Sequence, residues 1–149
     1  MVLTLLEPGT ELVLFRLGDR GYASPRARVR ELIDVGAGRP AVPGLSAATL
    51  GGLGGGQRPI ALVSLRAALG LPERGPEGRI LVVTTRHGPV GFLVDEVTQV
   101  LRYDPATCRP EPNRLASGYV TAGFQALGGS WLVIDWDAIR LPTGITAPR

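Results

Sequence analysis

RILVVTTRHGPVGFLVDEVTQVL, residues 79–101, is the stretch that decides the fold. Ile80, Leu81, Val82 and Val83 form a short apolar run rich in β-branched residues, and Thr84 and Thr85 extend it. Arg86-His87-Gly88 reads as a turn and Pro89 to Val94 as the returning strand. A three-residue connection closing on glycine suits a hairpin whose glycine takes positive φ. The apolar run stops at Asp95-Glu96 and resumes at Val97, Val100 and Leu101. Adjacent strand residues point to opposite faces, so Asp95 and Glu96 do not form one acid/base site.

Working outward, similar units recur. Leu12 to Phe15 is a strand, Gly18 to Gly21 a turn, and Tyr22-Ala23 opens a partner strand that Pro25 shortens or moves to an edge. Arg26 to Ile33 is ambiguous: Val29, Leu32 and Ile33 have helical spacing, but about two turns make a marginal helix. Residues 36–58 read as loop, with a weak strand near Thr49 to Leu53. Ile60 to Val63 is a strand, and Ser64 to Leu69 a short helix stopped by Gly70 and Pro72. Glu73 to Gly78 is a polar connector between halves. Arg109-Pro110-Glu111-Pro112 cannot lie in a central strand, because proline has no N–H for the ladder. Tyr119–Phe124 and Trp131–Ile134 are strands around Gly128-Gly129, and Trp136–Leu141 is a short helix or tail.

The halves echo each other in order. Leu12–Phe15 with its turn matches Ile80–Val83 with its turn. Val29-Arg30-Glu31-Leu32 matches Val94-Asp95-Glu96-Val97. Val63-Ser64-Leu65-Arg66-Ala67 matches Ile134-Asp135-Trp136-Asp137-Ala138. Two β-units of about sixty residues close their sheet edges most economically as small barrels. Each is marginal alone, so an apolar face between them is expected.

Composition agrees and removes other classes. The chain has 149 residues, 44% of them hydrophobic, enough for a packed core. Its 21 glycines and 13 prolines favour turns over long helices. The net charge is +3, and every basic side chain other than the one histidine is arginine. The arginines are scattered, with only Arg26, Arg28 and Arg30 spaced as a stripe, and they do not interleave with aromatics as a nucleic-acid platform requires. The single cysteine, Cys108, excludes an internal disulfide, and the single histidine, His87, a two-histidine metal site. The run Gly51–Gly56 lacks the lysine and hydroxyl of a phosphate loop. No serine sits in a nucleophile elbow. No stretch approaches the roughly twenty apolar residues of a membrane span, and the N-terminus has no signal-peptide pattern. No cofactor is expected. What remains is an apolar, sparsely charged chain whose physical default is protein–protein interaction in the cytoplasm.

The residues that carry a family resemblance are Val90-Gly91-Phe92-Leu93-Val94-Asp95-Glu96-Val97-Thr98-Gln99-Val100, followed by Cys108–Pro112, Tyr119–Phe124 and Trp131–Asp137. With Phe15–Ala23 and Val29–Ile33 in the first half, the chain resembles the CheW-like coupling proteins of bacterial chemotaxis over about residues 11 to 141. It departs in the middle. The family's Asn-Leu-Arg-Gly is replaced near Leu53 to Gln57, and Ser64 stands where the family has aspartate, while Leu65-Arg66 is kept.

The resemblance implies an all-β fold of two five-stranded SH3-like barrels on a shared hydrophobic core. It implies one domain over 1–149, with subdomains at about 11–72 and 79–141 and a tail at 142–149. It implies no active site. The expected partners are a chemoreceptor's cytoplasmic helical tip, in a groove between barrels, and the regulatory domain of a CheA-type histidine kinase. Glu31 resembles the glutamate thought to pair with the arginine that is missing here. Asp95 resembles the family's recurrent aspartate, expected to bond backbone or arginine where a strand leaves the core. Val29, Leu32, Leu53, Val94, Val97 and Val100 are candidates for the groove or its support, with Glu31 and Asp95 beside them. One alternative is a ligand-binding or enzymatic small β-barrel with an enclosed pocket. Another is a scaffold of a pilus-motility pathway that has lost the usual receptor contacts.

Overall fold

The structure, a computed structural model, describes residues 6–34, 42, 43, 45, 47–49, 60–72, 78–111 and 118–141. Leu53, the glycine run 51–56, the connector 73–77 and the tail 142–149 lie outside the described residues.

Among the described residues, eleven strands form two sheets. In chain order they are β1 (Glu11–Leu17), β2 (Arg20–Pro25), β3 (Val29–Asp34), β4 (Ala47–Thr49), β5 (Ala61–Ser64), β6 (Arg79–Thr85), β7 (Gly88–Val94), β8 (Glu96–Arg102), β9 (Arg109–Glu111), β10 (Val120–Ala126) and β11 (Gly129–Ile134). A helical turn, α1 (Leu65–Ala68), follows β5, and 3-10 turns span Arg26–Arg28 and Trp136–Ala138. The six-stranded sheet runs β8-β1-β2-β11-β10-β9, and the five-stranded sheet runs β4-β3-β6-β7-β5.

Each sheet takes strands from both sides of the connector. The hairpin β1–β2 lies with β8 to β11, and the hairpin β6–β7 lies with β3 to β5. The chain crosses from the six-stranded sheet to the other at Arg26–Arg28, and back at Asp95. Pairing follows one plan twice. The hairpin's first strand is antiparallel to a third strand, and its second strand is parallel to a last one. The segment 26–33 is a 3-10 turn and a strand rather than a helix. Pairing with β6 and burial of Val29, Leu32 and Ile33 outweigh the propensity of so short a segment. The three-residue turn resolves into two residues, Arg86-His87, with Thr85 paired to Gly88. Gly88 has φ 100°, the left-handed side of the map that only glycine enters cheaply. The proline segment forms β9 at a sheet edge, where its missing N–H costs no ladder bond.

The apolar runs are continuous because both faces of the hairpins are buried. On β1, Val13, Phe15 and Leu17 face one core and Leu12 and Leu14 another. On β6, Leu81 and Val83 join the first core, while Ile80 and Val82 join a third with Ile33. The first core is the shared one. It unites Val13, Phe15 and Tyr22 of one sheet with Val29, Leu32, Phe92 and Val94 of the other, and with Trp136. The ring of Trp136 stacks on Phe15 at 5.9 Å and on Phe92 at 4.8 Å, and Phe15 on Tyr22 at 5.8 Å. Its indole N–H donates to Ser24 Oγ at 2.7 Å, so the one polar atom of this buried ring is satisfied. The second core, inside the six-stranded sheet, holds Leu12, Leu14, Phe124, Trp131 and the Cys108 thiol.

Candidate functional site

The hairpins fix which residues are equivalent. Phe15 and Val83 each stand three residues before the first residue of their turn. Phe15 pairs with Val97 and Val83 with Val29, and a bulge follows in both third strands. Val97 is therefore the counterpart of Val29, three positions beyond the match read from the sequence. On the same frame Leu17 matches Thr85 and Gly18 matches Arg86. The parallel pairings of Val63 with Phe92 and Val133 with Ala23 keep the expected match of Arg66 with Asp137.

Four of the sequence candidates are core residues: Val29 is 4% exposed, Leu32 0%, Val94 1% and Val97 5%. Val100 packs, partly buried, against the same core. Glu31 is half-buried on β3, opposite Val82 across the bulge. Among the described candidates, four of the five apolar ones thus lie beneath the surface, and Glu31, Asp95 and Val100 keep partial exposure.

Asp95 closes a latch. Its carboxylate accepts from the Gly18 N–H at 2.6 Å, from Arg66 Nε at 3.1 Å, and from Arg66 Nη2. Arg66 also donates to the Pro72 carbonyl at 3.1 Å. Arg66 is delivered by α1, whose N-cap Ser64 accepts from the Ala67 N–H, and by Leu65, which is fully buried beside it. Serine here caps as the family's aspartate can. Gly18, at φ 63°, leaves 3.2 Å between a notional Cβ and Arg66 Nη2. The latch therefore joins the turn of one sheet, the crossover, and the helix that follows the last strand of the other.

A second latch was not legible as one. Arg28, at the other crossover, is bidentate to Asp137 at 2.9 and 3.3 Å and donates to the Thr84 carbonyl at 2.9 Å. Asp137 also accepts from the Arg86 N–H at 2.8 Å. The arginine bond and the backbone N–H hold the Asp137 carboxyl below its ordinary 3.8, and the same bond raises Arg28. Asp135 caps this turn by accepting from the Asp137 N–H at 3.0 Å, as Ser64 caps α1. The signal lay in the sequence echo Arg66/Asp137, whose charge reversal disguised it.

Around the second latch are exposed basic side chains. Arg30, Arg86 and His87 are exposed, and Arg86 Nε lies 3.3 Å from His87 Nε2. Elsewhere, an open depression of about 450 Å³ is lined by Thr107, Arg109, Gln125 and the β10–β11 turn. No group of His, Cys, Asp or Glu among the described residues could hold a metal ion. None of their helices is long and apolar enough to cross a membrane.

A family model described as a CheW-like domain matches residues 11–140. Among solved structures, the scaffolding protein TtCheW from Thermoanaerobacter tengcongensis superposes with a TM-score of 0.64 at 21% identity, over 88% of this chain and 91% of that one. No curated protein matches.

Proposed function

This chain belongs to the CheW-like domain family, a family of chemotaxis scaffolds, and from that premise we propose a non-catalytic, cytoplasmic adaptor that couples a chemoreceptor to a CheA-type histidine kinase. The observation that carries the reading is the family match over 11–140 on two interleaved sheets with one shared core. An adaptor needs surfaces held at a fixed mutual angle, and the crossovers, the aromatic stack and the two latches supply that rigidity.

The receptor's helical tip and the kinase's regulatory domain are the partners this role needs. In this reading Glu31 and Val100 stand nearest to a contact. Val29, Leu32, Val94 and Val97 shape the core beneath it, Leu53 stays a candidate for the groove or its support, and Asp95 holds the β7–β8 junction. Titration calorimetry of the purified chain with a receptor signalling-tip fragment, and separately with a kinase regulatory domain, is the test. Binding to both in one ternary complex is expected. Binding to neither overturns the assignment. Val29→Asp is a poor probe, because a carboxylate at a 4% exposed core position unfolds the protein rather than reporting on contact.

A further inference from the structure

We infer that the end of the five-stranded sheet, at the Arg86-His87 turn and the start of β3, is a cationic docking surface for an acidic segment of a partner protein. The inference rests on the adaptor reading and adds the chemistry of one contact. Arg28 is neutralised by Asp137 and serves the fold. Arg30 and Arg86 are different: both are exposed, and among the described residues neither has a carboxylate within ion-pair distance. Their surroundings are organised. The Arg86 N–H is bonded to Asp137, and Arg28 ties the same carboxylate to the Thr84 carbonyl. The turn that carries Arg86 and His87 is thereby braced before any partner arrives, which lowers the ordering cost of binding. The carboxylates on the segments packed at this end are Asp137, bonded by Arg28 and by the Arg86 N–H, Asp135, which caps the 3-10 turn, and Glu31, half-buried beside Arg30 on β3.

Guanidinium groups favour carboxylates, which they hold by paired hydrogen bonds. Single-stranded nucleic acid would want aromatic faces beside the cations. Phe15, Tyr22, Phe92, Tyr103, Phe124, Trp131 and Trp136 are buried, and the remaining aromatic, Tyr119, is half-buried with its side chain packed against the shared core. A membrane surface would want exposed apolar side chains there. Among the described residues the exposed large apolar side chains are Leu62, on β5, and Leu127, at the β10–β11 turn.

The test compares wild type with Arg30→Glu, Arg86→Glu and, as a control, Arg109→Glu, an exposed arginine on β9. Affinity for the receptor-tip fragment and for the kinase regulatory domain is measured at low and high salt. For one of the two partners, the first two variants are expected to bind about tenfold more weakly and with a flatter salt dependence, while Arg109→Glu binds as wild type. If wild type binds but all three variants match it, or all three weaken equally, the surface is overturned and the adaptor reading stands. If wild type binds neither partner, the adaptor reading itself fails. Wild-type binding to anionic vesicles or to DNA that is lost in Arg30→Glu and Arg86→Glu, with protein binding unchanged, also overturns the acidic-protein assignment.

Discussion

The two latches occupy equivalent places with opposite polarity. At one crossover the chain supplies a carboxylate, Asp95, to an arginine after the last strand, Arg66. At the other it supplies an arginine, Arg28, to a carboxylate after the last strand, Asp137. One element does not change: in each latch the carboxylate accepts the first N–H of the neighbouring hairpin turn, from Gly18 or from its counterpart Arg86. The duplication preserves a geometric need, an acceptor at the turn, and leaves free which side of the crossover carries it. The latches also differ in depth. The side chains of Arg66 and Asp95 are 13% and 20% exposed, those of Arg28 and Asp137 39% and 25%.

The largest expected effect lies beside the latches, at the equivalent pair Leu65 and Trp136. Trp136→Ala removes a ring stacked between the two sheets and leaves a cavity. It is expected to cost about 3–5 kcal/mol, and Leu65→Ala about 2–4. Urea denaturation measures both. If Leu65→Ala costs clearly more, the aromatic stack is not the main tie between the sheets.

Next come the latches themselves. Asp95→Ala takes the carboxylate from a mostly buried guanidinium and from the Gly18 N–H, for an expected loss of about 2–3 kcal/mol. Asp137→Ala acts on the more exposed pair and should cost about 1 kcal/mol or less. Equal losses would show that depth does not separate the two. A sharper probe is the double exchange Arg66→Asp with Asp95→Arg, which gives the first latch the polarity of the second. Because a carboxylate at 66 stands where Asp137 stands, it can accept the turn N–H. The double variant should therefore recover about 1 kcal/mol or more relative to the sum of the single changes. Strict additivity would sink the equivalence.

These contrasts show what the sequence made legible. The hairpins were readable because both of their faces are buried, so Leu12–Phe15 and Ile80–Val83 stand out as unbroken apolar runs. The glycine at 88, the exclusion of Pro110 from a central strand and the short helix after Ser64 follow from local backbone chemistry and were readable from it. The exchange of hairpins between sheets was not, because pairing partners far apart in sequence leave no local mark. The third strands were misaligned by three residues, since Val94 and Val97 are both buried valines and periodicity alone cannot choose between them. The site suffered most. Of the apolar candidates for the groove or its support, Val29, Leu32, Val94 and Val97 lie in the core and Val100 is half-buried against it, while Arg28 was read as part of an arginine stripe and Asp137 as part of a short helix or tail.

The smallest expected effect is the most specific to one latch. Asp137 has its carboxyl held below the ordinary 3.8, first by the Arg28 side chain and then by the Arg86 N–H. The folded state thus binds its proton less readily than the unfolded chain does, so the carboxylate's contribution is fully present above 3.8 and is lost as pH falls through the lowered folded value. Asp137→Asn keeps the size and an acceptor oxygen but removes the charge. Its stability should lie slightly below wild type at neutral pH, and the gap should close in acid. A gap that persists unchanged in acid would mean that shape and hydrogen bonding, rather than charge, hold the second latch. The polarity reversal between the two latches would then carry no electrostatic consequence.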